Sequence, residues 1–323
     1  MATLNIPNDY TVQLSPPDIS SYKNGNTGID YVWTFDSGVP GPHALITAVV
    51  HGNELCGAIT LDWLMQNDFR PSTGKVSFGF MNVEAYHNFN VDDPNASRWV
   101  DEDFNRLWAE EVLDGDRDSS ELRRARTVRP FLDTVDFLYD IHSMQHPAPA
   151  LMLSGRHKKA QVLASQIGVP ERVVADAGHA AGKRMRDYAA FDDPNSPKTA
   201  LLIECGQHWE AETVPLAKLS AARFLTCVGV ADEKLLEGLG EPGEQVFYRV
   251  TEAVLIETDD FDFAEPFTGG EVIPKAGTLL GIDGGRRIET PYDNCMLVMP
   301  TKRKWPGQTA VRLARRDDDA MKA

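Results

Sequence analysis

Six apolar, β-branched runs in the first two thirds of the chain constrain its fold most. Nearly every position within them is hydrophobic, as in strands that are covered on both faces of a sheet. The runs are residues 44–51, 75–83, 135–143, 150–155, 172–178 and 199–206. Helical patterns lie between or after them, at residues 54–66, 120–135, 158–168 and 214–239. This alternation predicts an α/β domain with a mixed or parallel sheet and helices on both faces.

The texture of the sequence changes near residue 240. Residues 238–245, "GLGEPGEQ", are rich in Gly, Pro and Glu, and the apolar runs beyond them are short and separated by turn residues. Such a pattern is typical of a small β-barrel or sandwich. We therefore predict a catalytic domain over residues 1–240 and an all-β C-terminal domain over residues 241–323.

The charge balance argues against two classes of partner. The chain has 48 acidic and 32 basic residues and a formal net charge of −16. Nucleic acid and anionic membranes would be repelled, so neither is an expected partner. The sequence also lacks a run of about 18 apolar residues, the length that a transmembrane helix needs.

The cysteines and the N-terminal residues predict a cytoplasmic protein. The four cysteines are scattered and show no CxxC pairing, which favours free, buried thiols in a reducing compartment. The first fourteen residues, "MATLNIPNDYTVQL", have neither the basic nor the apolar region of a secretory signal.

Three of the predicted strands end in side chains that can do chemistry. His51 and Glu54 follow the first run, His142 lies at the end of the third, and Glu204 at the end of the last. Ligands of open α/β sheets gather at the carboxyl ends of the strands, so these four side chains meet if the strands are neighbours. Taken singly, each has an ordinary alternative, because a strand-end His is usually a satisfied polar residue and Glu54 also suits the first turn of a helix.

Together, these residues match a catalytic metal site. Two His and one Glu with an open coordination position are a set that catalytic zinc uses. A further carboxylate, for which Glu204 is the candidate, is then needed to move protons during hydrolysis. Asp140 stands two residues before His142, on the same side of the predicted strand, where it can orient a ligand imidazole.

A long polar segment, residues 81–108, offers candidates for substrate binding. Loops of this length in compact domains are usually functional or disordered. Arg98, Asn105 and Arg106 lie within it, and an Arg pair can bind carboxylates bidentately. The alternative is that the two arginines only balance the acidic residues around them.

Four motifs in order resemble those of the succinylglutamate desuccinylase/aspartoacylase family, a branch of the zinc carboxypeptidase fold. They are "HGNE" (51–54), "FNR" (104–106), "DIHS" (140–143) and "ECG" (204–206). The resemblance implies one Zn²⁺ per chain, held by His51, Glu54 and His142, with Glu204 as general base and acid. It also implies that Asn105 and Arg106 clamp a substrate carboxylate, that Arg98 contacts the substrate, and that a β-rich C-terminal domain follows.

The sequence departs from the family pattern in places, and also differs by "HW" after "ECGQ" and by the insertion "DDPNSP" at 192–197. Enzymes of the aspartoacylase type carry a further Arg shortly before the catalytic Glu, whereas Arg184 and Arg186 stand too far upstream of Glu204 to be carried over. For His146, His179 and His208 we favour surface positions over the alternative of lining the pocket, and we expect Cys205 to be a core thiol without a catalytic task. The acyl group of the substrate is left open.

The expected function is a cytoplasmic zinc amidohydrolase that cleaves an N-acyl amino acid or a related small N-acyl amine. A metallocarboxypeptidase-like peptidase with the same metal chemistry is one alternative. A non-catalytic protein of the same fold that binds small anions is another. The sequence leaves the oligomeric state open, including a homo-oligomer.

Overall fold

Two β-sheets organise the computed structural model, which describes residues 10–179 and 181–321. The strands are β1 (Val32–Asp36), β2 (His43–Ala48), β3 (Lys75–Phe80), β4 (Phe137–Met144), β5 (Leu151–Leu153), β6 (Arg172–Ala175), β7 (Thr199–Gln207), β8 (Val246–Leu255), β9 (Asp262–Phe263), β10 (Val272–Ile273), β11 (Leu279–Asp283), β12 (Arg286–Glu289), β13 (Cys295–Val298) and β14 (Thr309–Arg316). The helices are α1 (Leu55–Gln66), α2 (Val83–His87), α3 (Glu110–Leu113), α4 (Ser120–Leu132), α5 (Lys158–Ile167) and α6 (Thr213–Cys227).

The larger sheet has eleven strands in the order β1-β3-β2-β4-β7-β5-β6-β8-β14-β13-β10. Its centre is parallel: β2 pairs with β3 and β4, and β4 pairs with β7. β1 runs antiparallel to β3, and β5 runs antiparallel to β7. The prediction of a mixed α/β sheet is therefore confirmed.

Helices cover both faces of the central strands. Ile46 in β2 belongs to a core cluster that includes residues of α1, α5 and α6. The preceding residue, Leu45, belongs to a second cluster that includes Val128 and Leu132 of α4. Because successive side chains of a strand point to opposite faces, the two clusters lie on opposite sides of the sheet. Their burial from both sides explains why the strands are hydrophobic at nearly every position.

The helix predicted over residues 214–239 is shorter than expected. Helix α6 ends at Cys227, and Gly229 follows with a φ of 78°. Glycine adopts this left-handed backbone without the steric penalty of a side chain, so the chain turns away there. A 3-10 turn at Glu233–Leu236 then forms a separate element. The apolar residues of helix α6 and of this turn follow one another in the sequence, so they were predicted as a single helix.

The C-terminal part extends the main sheet and adds a smaller one. β8 pairs in parallel with β6, and β14, β13 and β10 continue outward from it by antiparallel pairing. β12, β11 and β9 form a separate three-stranded sheet. Leu280 and Leu297 are buried in the core shared by these strands. Since the main sheet crosses residue 240, the division of the chain at that position stays a prediction.

Two other expectations concern the chain as a whole. No helix in the described part of the chain is long and apolar enough to cross a membrane. The N-terminal stretch judged to lack a secretory signal falls mainly on residues 1–9, outside the described residues. All four cysteines are free, and Cys56, Cys205 and Cys295 are buried, as expected.

Candidate active site

The carboxyl ends of three adjacent strands bring the predicted site residues together. His51 and Glu54 lie on the turn between β2 and α1, His142 lies in β4, and Glu204 lies in β7. β4 stands between β2 and β7 in the sheet, and His142 is the register partner of Glu204. The topology thus gathers at one edge four side chains that are far apart in sequence.

Both imidazoles face the carboxylate of Glu54. Nδ1 of His51 lies 2.7 Å from Oε1 of Glu54, and Nδ1 of His142 lies 2.8 Å from Oε2. All three residues are buried, with 1–4% of their surface exposed. Burial alone would raise the pKa of Glu54, but His51 and His142 hold it well below its usual range. The carboxylate is therefore ionised and available as a ligand.

A second carboxylate holds the far nitrogen of each imidazole. Oδ2 of Asp140 lies 2.8 Å from Nε2 of His142, and Oδ1 of Asp140 accepts a hydrogen bond from the hydroxyl of Thr47. Oδ1 of Asp103 lies 2.9 Å from Nε2 of His51. Such partners fix the orientation and tautomer of a metal-binding imidazole, leaving Nδ1 toward the centre.

Asp103 was not predicted as part of this arrangement. In the sequence it is one of five acidic residues around Arg98 and Arg106, and nothing in its type distinguishes it. Its Oδ1 accepts the backbone N–H of Asn105 and so caps a 3-10 turn over Phe104–Arg106. The cap aims the carboxylate at His51. An acidic residue two positions before Asn105, at the start of a turn, is the signal that could have found it.

The donor set fits a divalent metal ion. His51, Glu54 and His142 each offer one ligand atom, and these atoms all lie within 4.8 Å of one another. Two imidazole nitrogens and one carboxylate leave a coordination position open, and the set contains no thiolate of the kind that closes structural zinc sites. The three residues can therefore hold a catalytic metal.

Glu204 is a buried carboxyl beside this group. Its side chain is 7% exposed, and its Oε2 has no hydrogen-bond partner in the described residues. Burial and the nearby Glu54 raise the pKa of Glu204 to about 8, although His142 opposes the shift. A carboxyl with a pKa near neutrality can both accept and donate a proton at physiological pH.

Arg98 directly contacts two of the three residues that could hold a metal ion. Its guanidinium lies 3.3 Å from Oε1 of Glu54 and 3.0 Å from Nε2 of His51. It also lies 3.5 Å from Oδ2 of Asp103. The alternative was that Arg98 only balances acidic residues of its own loop. It accounts for the contact with Asp103 but not for those with Glu54 and His51.

Asn105 and Arg106 form the neighbouring wall. Oδ1 of Asn105 accepts the backbone N–H of Met185, which fixes the side chain. Arg106 donates to the backbone carbonyl of Asn105 and approaches Oδ2 of Asp103 only to 3.9 Å. Burial lowers the pKa of Arg106, and Asp103 opposes this shift. Most donors of the Arg106 guanidinium remain available for a ligand.

These residues line a cavity of about 840 Å³. Arg98, Asn105, Arg106, His142 and Glu204 form part of its wall. Another wall comes from the C-terminal part of the chain and includes apolar and charged side chains: Phe263, Phe267, Met299, Arg303 and Arg312. The cavity is therefore lined by both parts of the chain.

The expectation that three histidines lie at the surface is wrong. His146, His179 and His208 all line the cavity. His208 is 1% exposed, and its Nδ1 lies 2.8 Å from Oγ of Ser143. Burial lowers the pKa of His208 to about 3, so its imidazole is neutral. The reason is topological, since His208 follows β7 and Ser143 lies in β4, the strand beside it.

Arg184 also lines the cavity, despite its distance from Glu204 in sequence. Asp176 holds its guanidinium bidentately at 2.8 Å, and Asp187 accepts from its Nε at 2.6 Å. Arg186 donates to the carboxylate of Asp187 and to the backbone carbonyls of Ser154 and Ala200. The connection between β6 and β7 therefore returns to the site, which spacing alone could not show. Tyr188 and Phe191, on the same connection, pack in the core.

Comparison with known proteins identifies the family. Residues 40–222 match the model of the succinylglutamate desuccinylase/aspartoacylase catalytic domain. The chain belongs to this family. Its members are amidohydrolases that act on N-acyl amino acids (EC 3.5.1.-). The match includes every motif on which the resemblance was based.

Solved structures share the fold at low sequence identity. A succinylglutamate desuccinylase from Vibrio parahaemolyticus is 19% identical, covers 89% of this chain and 86% of its own, and has a TM-score of 0.67. Murine aminoacylase 3 is 19% identical, with coverages of 86% and 96% and a TM-score of 0.60. A succinylglutamate desuccinylase/aspartoacylase from Rhodobacter sphaeroides is 17% identical, with 98% coverage of both chains and a TM-score of 0.63. No curated protein sequence matches the chain.

Proposed function

We propose that this protein is a zinc-dependent deacylase that cleaves the amide bond of an N-acyl amino acid or a related small N-acyl amine. One observation carries the proposal. Two imidazole nitrogens and the carboxylate of Glu54 converge within 4.8 Å of one another, beside the buried carboxyl of Glu204, whose Oε2 has no hydrogen-bond partner among the described residues. Membership of an amidohydrolase family supports the reaction class.

His51, Glu54 and His142 would hold the zinc ion, with Asp103 and Asp140 orienting the imidazoles. Zinc bound there supplies Lewis acidity for the amide carbonyl and for the attacking water. Two neutral imidazoles and one carboxylate would leave the zinc centre with a net positive charge. This charge is what Lewis-acid catalysis requires. His142 and Glu54 are buried, which limits competition from bulk solvent.

Glu204 moves the protons. Its carboxylate takes a proton from water as the water oxygen bonds to the amide carbon. It then delivers that proton to the amide nitrogen as the carbon–nitrogen bond breaks, giving a carboxylic acid and a free amine. In the metal-free protein burial raises the pKa of Glu204 to about 8, and a divalent cation held by His51, Glu54 and His142 would favour the carboxylate form that the first proton transfer requires.

Asn105 and Arg106 are the proposed clamp for a substrate carboxylate. The guanidinium of Arg106 presents a planar set of donors, and the fixed side chain of Asn105 supplies an adjacent amide. Arg98 lies against Glu54 and His51, so it is placed to contact the carbonyl oxygen as negative charge develops on it. The finer roles of these residues rest on this geometry and on their match to the family motifs.

An amine-release assay over three sets of compounds tests the proposal. N-acetyl and N-succinyl amino acids, peptides with a free carboxyl terminus, and N-acyl amines without a carboxylate would be compared at equal concentration. We expect amine release from the first set, and none when Glu204→Gln replaces the wild type. Preferential cleavage of the peptides would establish the peptidase alternative. Binding of N-acyl amino acids by the zinc-loaded wild type without any turnover would establish the non-catalytic alternative.

We also propose a cytoplasmic location, supported by the four free thiols. The oligomeric state stays open. Analytical ultracentrifugation of the purified protein would determine it.

A further inference from the structure

Glu121 is a fully buried carboxylate that the proposed reaction does not use. It lies in the first turn of α4. Its Oε1 accepts the backbone N–H of Val100 at 2.7 Å, and its Oε2 accepts those of Asp101 at 3.1 Å and Glu102 at 3.2 Å. Successive backbone N–H groups form a concavity that suits an anion, and here a carboxylate of the protein occupies it. We call residues 98–103 the arginine loop.

The two ends of the arginine loop carry the side chains that contact the metal-binding turn. Arg98 lies 3.3 Å from Glu54, and Asp103 lies 2.9 Å from His51. The three amides held by the buried carboxylate come from the residues between these two ends. The backbone carbonyl of Arg98 also accepts the N–H of Gly52 at 3.1 Å. The loop is therefore fixed to the metal-binding turn on one side and to α4 on the other.

Side chains of the arginine loop reinforce its attachment to α4. Oε1 of Glu102 accepts a hydrogen bond from the hydroxyl of Ser119 at 2.6 Å. Oδ2 of Asp101 accepts the backbone N–H of Ser120 at 2.8 Å. Each partner thus donates to the other, because α4 gives its N-terminal donors to the loop and receives the loop amides on its own carboxylate. This reciprocal pairing sets where the loop lies relative to the helix.

The carboxylate form of Glu121 is the one that satisfies its surroundings. Every group that donates to it is an N–H group: the three backbone amides of the arginine loop and the side-chain amide of Asn82, at 3.0 Å from Oε1. Hydrogen bonds to an ionised acceptor are stronger than those between neutral groups. A glutamine at this position would have one oxygen instead of two and would turn an NH₂ group toward N–H donors. It would therefore release part of the loop without changing the size of the side chain.

We propose that Glu121 is a positioning residue, which fixes the arginine loop so that Asp103 orients the imidazole of His51 and Arg98 stays against Glu54. It acts through these two side chains and does not touch the substrate. Its effect on turnover rests on the proposed deacylase function, whereas its effect on metal affinity does not. The alternative is that Glu121 only stabilises the fold.

Zinc affinity of Glu121→Gln, measured by competition with a chelator, is the first test. We expect it to fall about tenfold, because the imidazole of His51 would lose its fixed partner. Asp283→Asn is the matched control: Asp283 is also buried and also accepts two backbone N–H groups, but it lies in β11 and is not among the cavity-lining residues. It should lower the Tm and leave the zinc affinity unchanged. An equal loss of affinity in this control would overturn the inference.

A double-mutant cycle with Asp103→Asn separates positioning from stabilisation. If Glu121 acts through Asp103, Glu121→Gln should change the zinc affinity by less than about threefold once Asp103 is already Asn. A purely structural role would lower the affinity by the same factor in both backgrounds. Additive effects would therefore overturn the inference.

Steady-state kinetics test the part that runs through Arg98. Rates are expressed per bound zinc, so that loss of metal is not counted twice. Glu121→Gln should lower kcat about tenfold, because Arg98 would be displaced from its place beside Glu54. KM should stay within about threefold of wild type, because the Asn105 side chain is held separately by the backbone N–H of Met185. A rise in KM with unchanged kcat would contradict this assignment.

Hydrogen exchange of the metal-free protein tests the contact itself, without metal or substrate. The amides of Val100, Asp101 and Glu102 should be protected in the wild type and exchange about tenfold or more faster in Glu121→Gln. The amides of β4 should be unchanged, and faster exchange there as well would indicate general loosening and overturn the inference. If Glu121→Gln does not fold, Glu121→Asp keeps the charge on a shorter side chain and should release the same amides in part.

The failure of this inference and that of the proposed function are distinguishable. If the wild type releases no amine, the proposed function fails, but loss of zinc affinity that depends on Asp103 would still support the positioning role. If the three loop amides exchange equally in both proteins, or if Glu121→Gln binds zinc as tightly as wild type, the positioning role is overturned whatever the activity.

Discussion

The two walls of the cavity compensate their charges in opposite ways. At the wall formed by the first part of the chain, Asp103 and Asp140 hold the imidazoles of His51 and His142. At the wall formed by the C-terminal part, Arg312 is buried, and no carboxylate oxygen of residues 10–179 and 181–321 lies within 4.0 Å of its guanidinium, although Asp176 acts on it from farther away. Both walls line the same cavity. They therefore differ in which charged groups already have a partner in the protein.

The two walls differ in how their charged side chains are held in place. The first wall presents nitrogen and oxygen ligands in a fixed orientation, which is the arrangement that a metal ion needs before substrate arrives. The second wall presents positive charge with free donors, which a substrate anion can satisfy. One side of the cavity therefore has carboxylates that hold its imidazoles, and the other presents a guanidinium without a carboxylate in direct contact.

Removing the proton-transfer group should give the largest effect. Glu204→Gln keeps the size of the side chain but cannot accept a proton, so kcat should fall about 10²–10⁴-fold while metal content is unchanged. Steady-state kinetics and metal analysis of the purified variant measure both. Glu212→Gln, an exposed carboxylate beyond β7, is the control and should have wild-type activity. Near-normal kcat in Glu204→Gln would show that another group moves the proton.

Removing an orienting carboxylate should weaken the metal centre. Asp140→Asn and Asp103→Asn should each lower metal affinity about 10–100-fold, because the imidazole that each holds would lose its fixed tautomer. Competition with a chelator of known affinity measures the change. Asp92→Asn, at an exposed position of the same polar segment as Asp103, should leave the affinity unaltered. Unchanged metal affinity in both test variants would mean that Asp103 and Asp140 do not orient the imidazoles for metal binding.

Removing the carboxylate clamp should chiefly weaken substrate binding. Arg106→Ala should raise KM about tenfold with a smaller change in kcat, if the clamp holds ground state and transition state alike. Arg106→Lys should recover only part of the loss, because the ammonium cannot bond bidentately. Initial rates over a range of substrate concentrations separate KM from kcat. Full recovery by Lys would indicate that charge alone matters at this position.

The smallest effect concerns the buried imidazole of His208 and the stability of the metal-free protein. Its pKa is about 3 in the folded chain and near 6.5 when unfolded, so the unfolded state binds more protons between these values. Stability should therefore be complete above pH 6.5 and fall as the pH drops toward 3, by on the order of 1–3 kcal/mol.

Urea unfolding of the chelated protein at several pH values measures this dependence. His208→Gln should flatten the part of the curve between pH 6.5 and pH 4 relative to wild type. His87→Gln, which replaces an exposed imidazole, is the control. Identical pH curves for wild type and His208→Gln would show that the imidazole is not held neutral by burial.

The sequence allowed the fold class and the convergence of the candidate metal ligands to be predicted for a physical reason. Strands covered on both faces must be apolar at nearly every position, and parallel strands bring their carboxyl ends to one edge. His51, His142 and Glu204 follow or end such strands, so their convergence could be expected before their distances were known.

Other parts of the site depend on tertiary structure and left no comparable signal. Arg184 returns to the cavity through the connection between β6 and β7, and Arg312 comes from a strand that reaches the site only because β8 pairs with β6. His208 becomes buried through its contact with Ser143. None of these positions follows from a local pattern, because each depends on how distant elements pair.

Zinc titration of the chelated wild-type protein tests the central claim most directly. Amine release from an N-acyl amino acid would be measured after each addition, together with bound zinc. The account predicts no activity without metal, a linear rise, and a break at one zinc per chain. Full activity in the chelated protein, or stoichiometric zinc binding without amine release from any N-acyl amino acid, would contradict it.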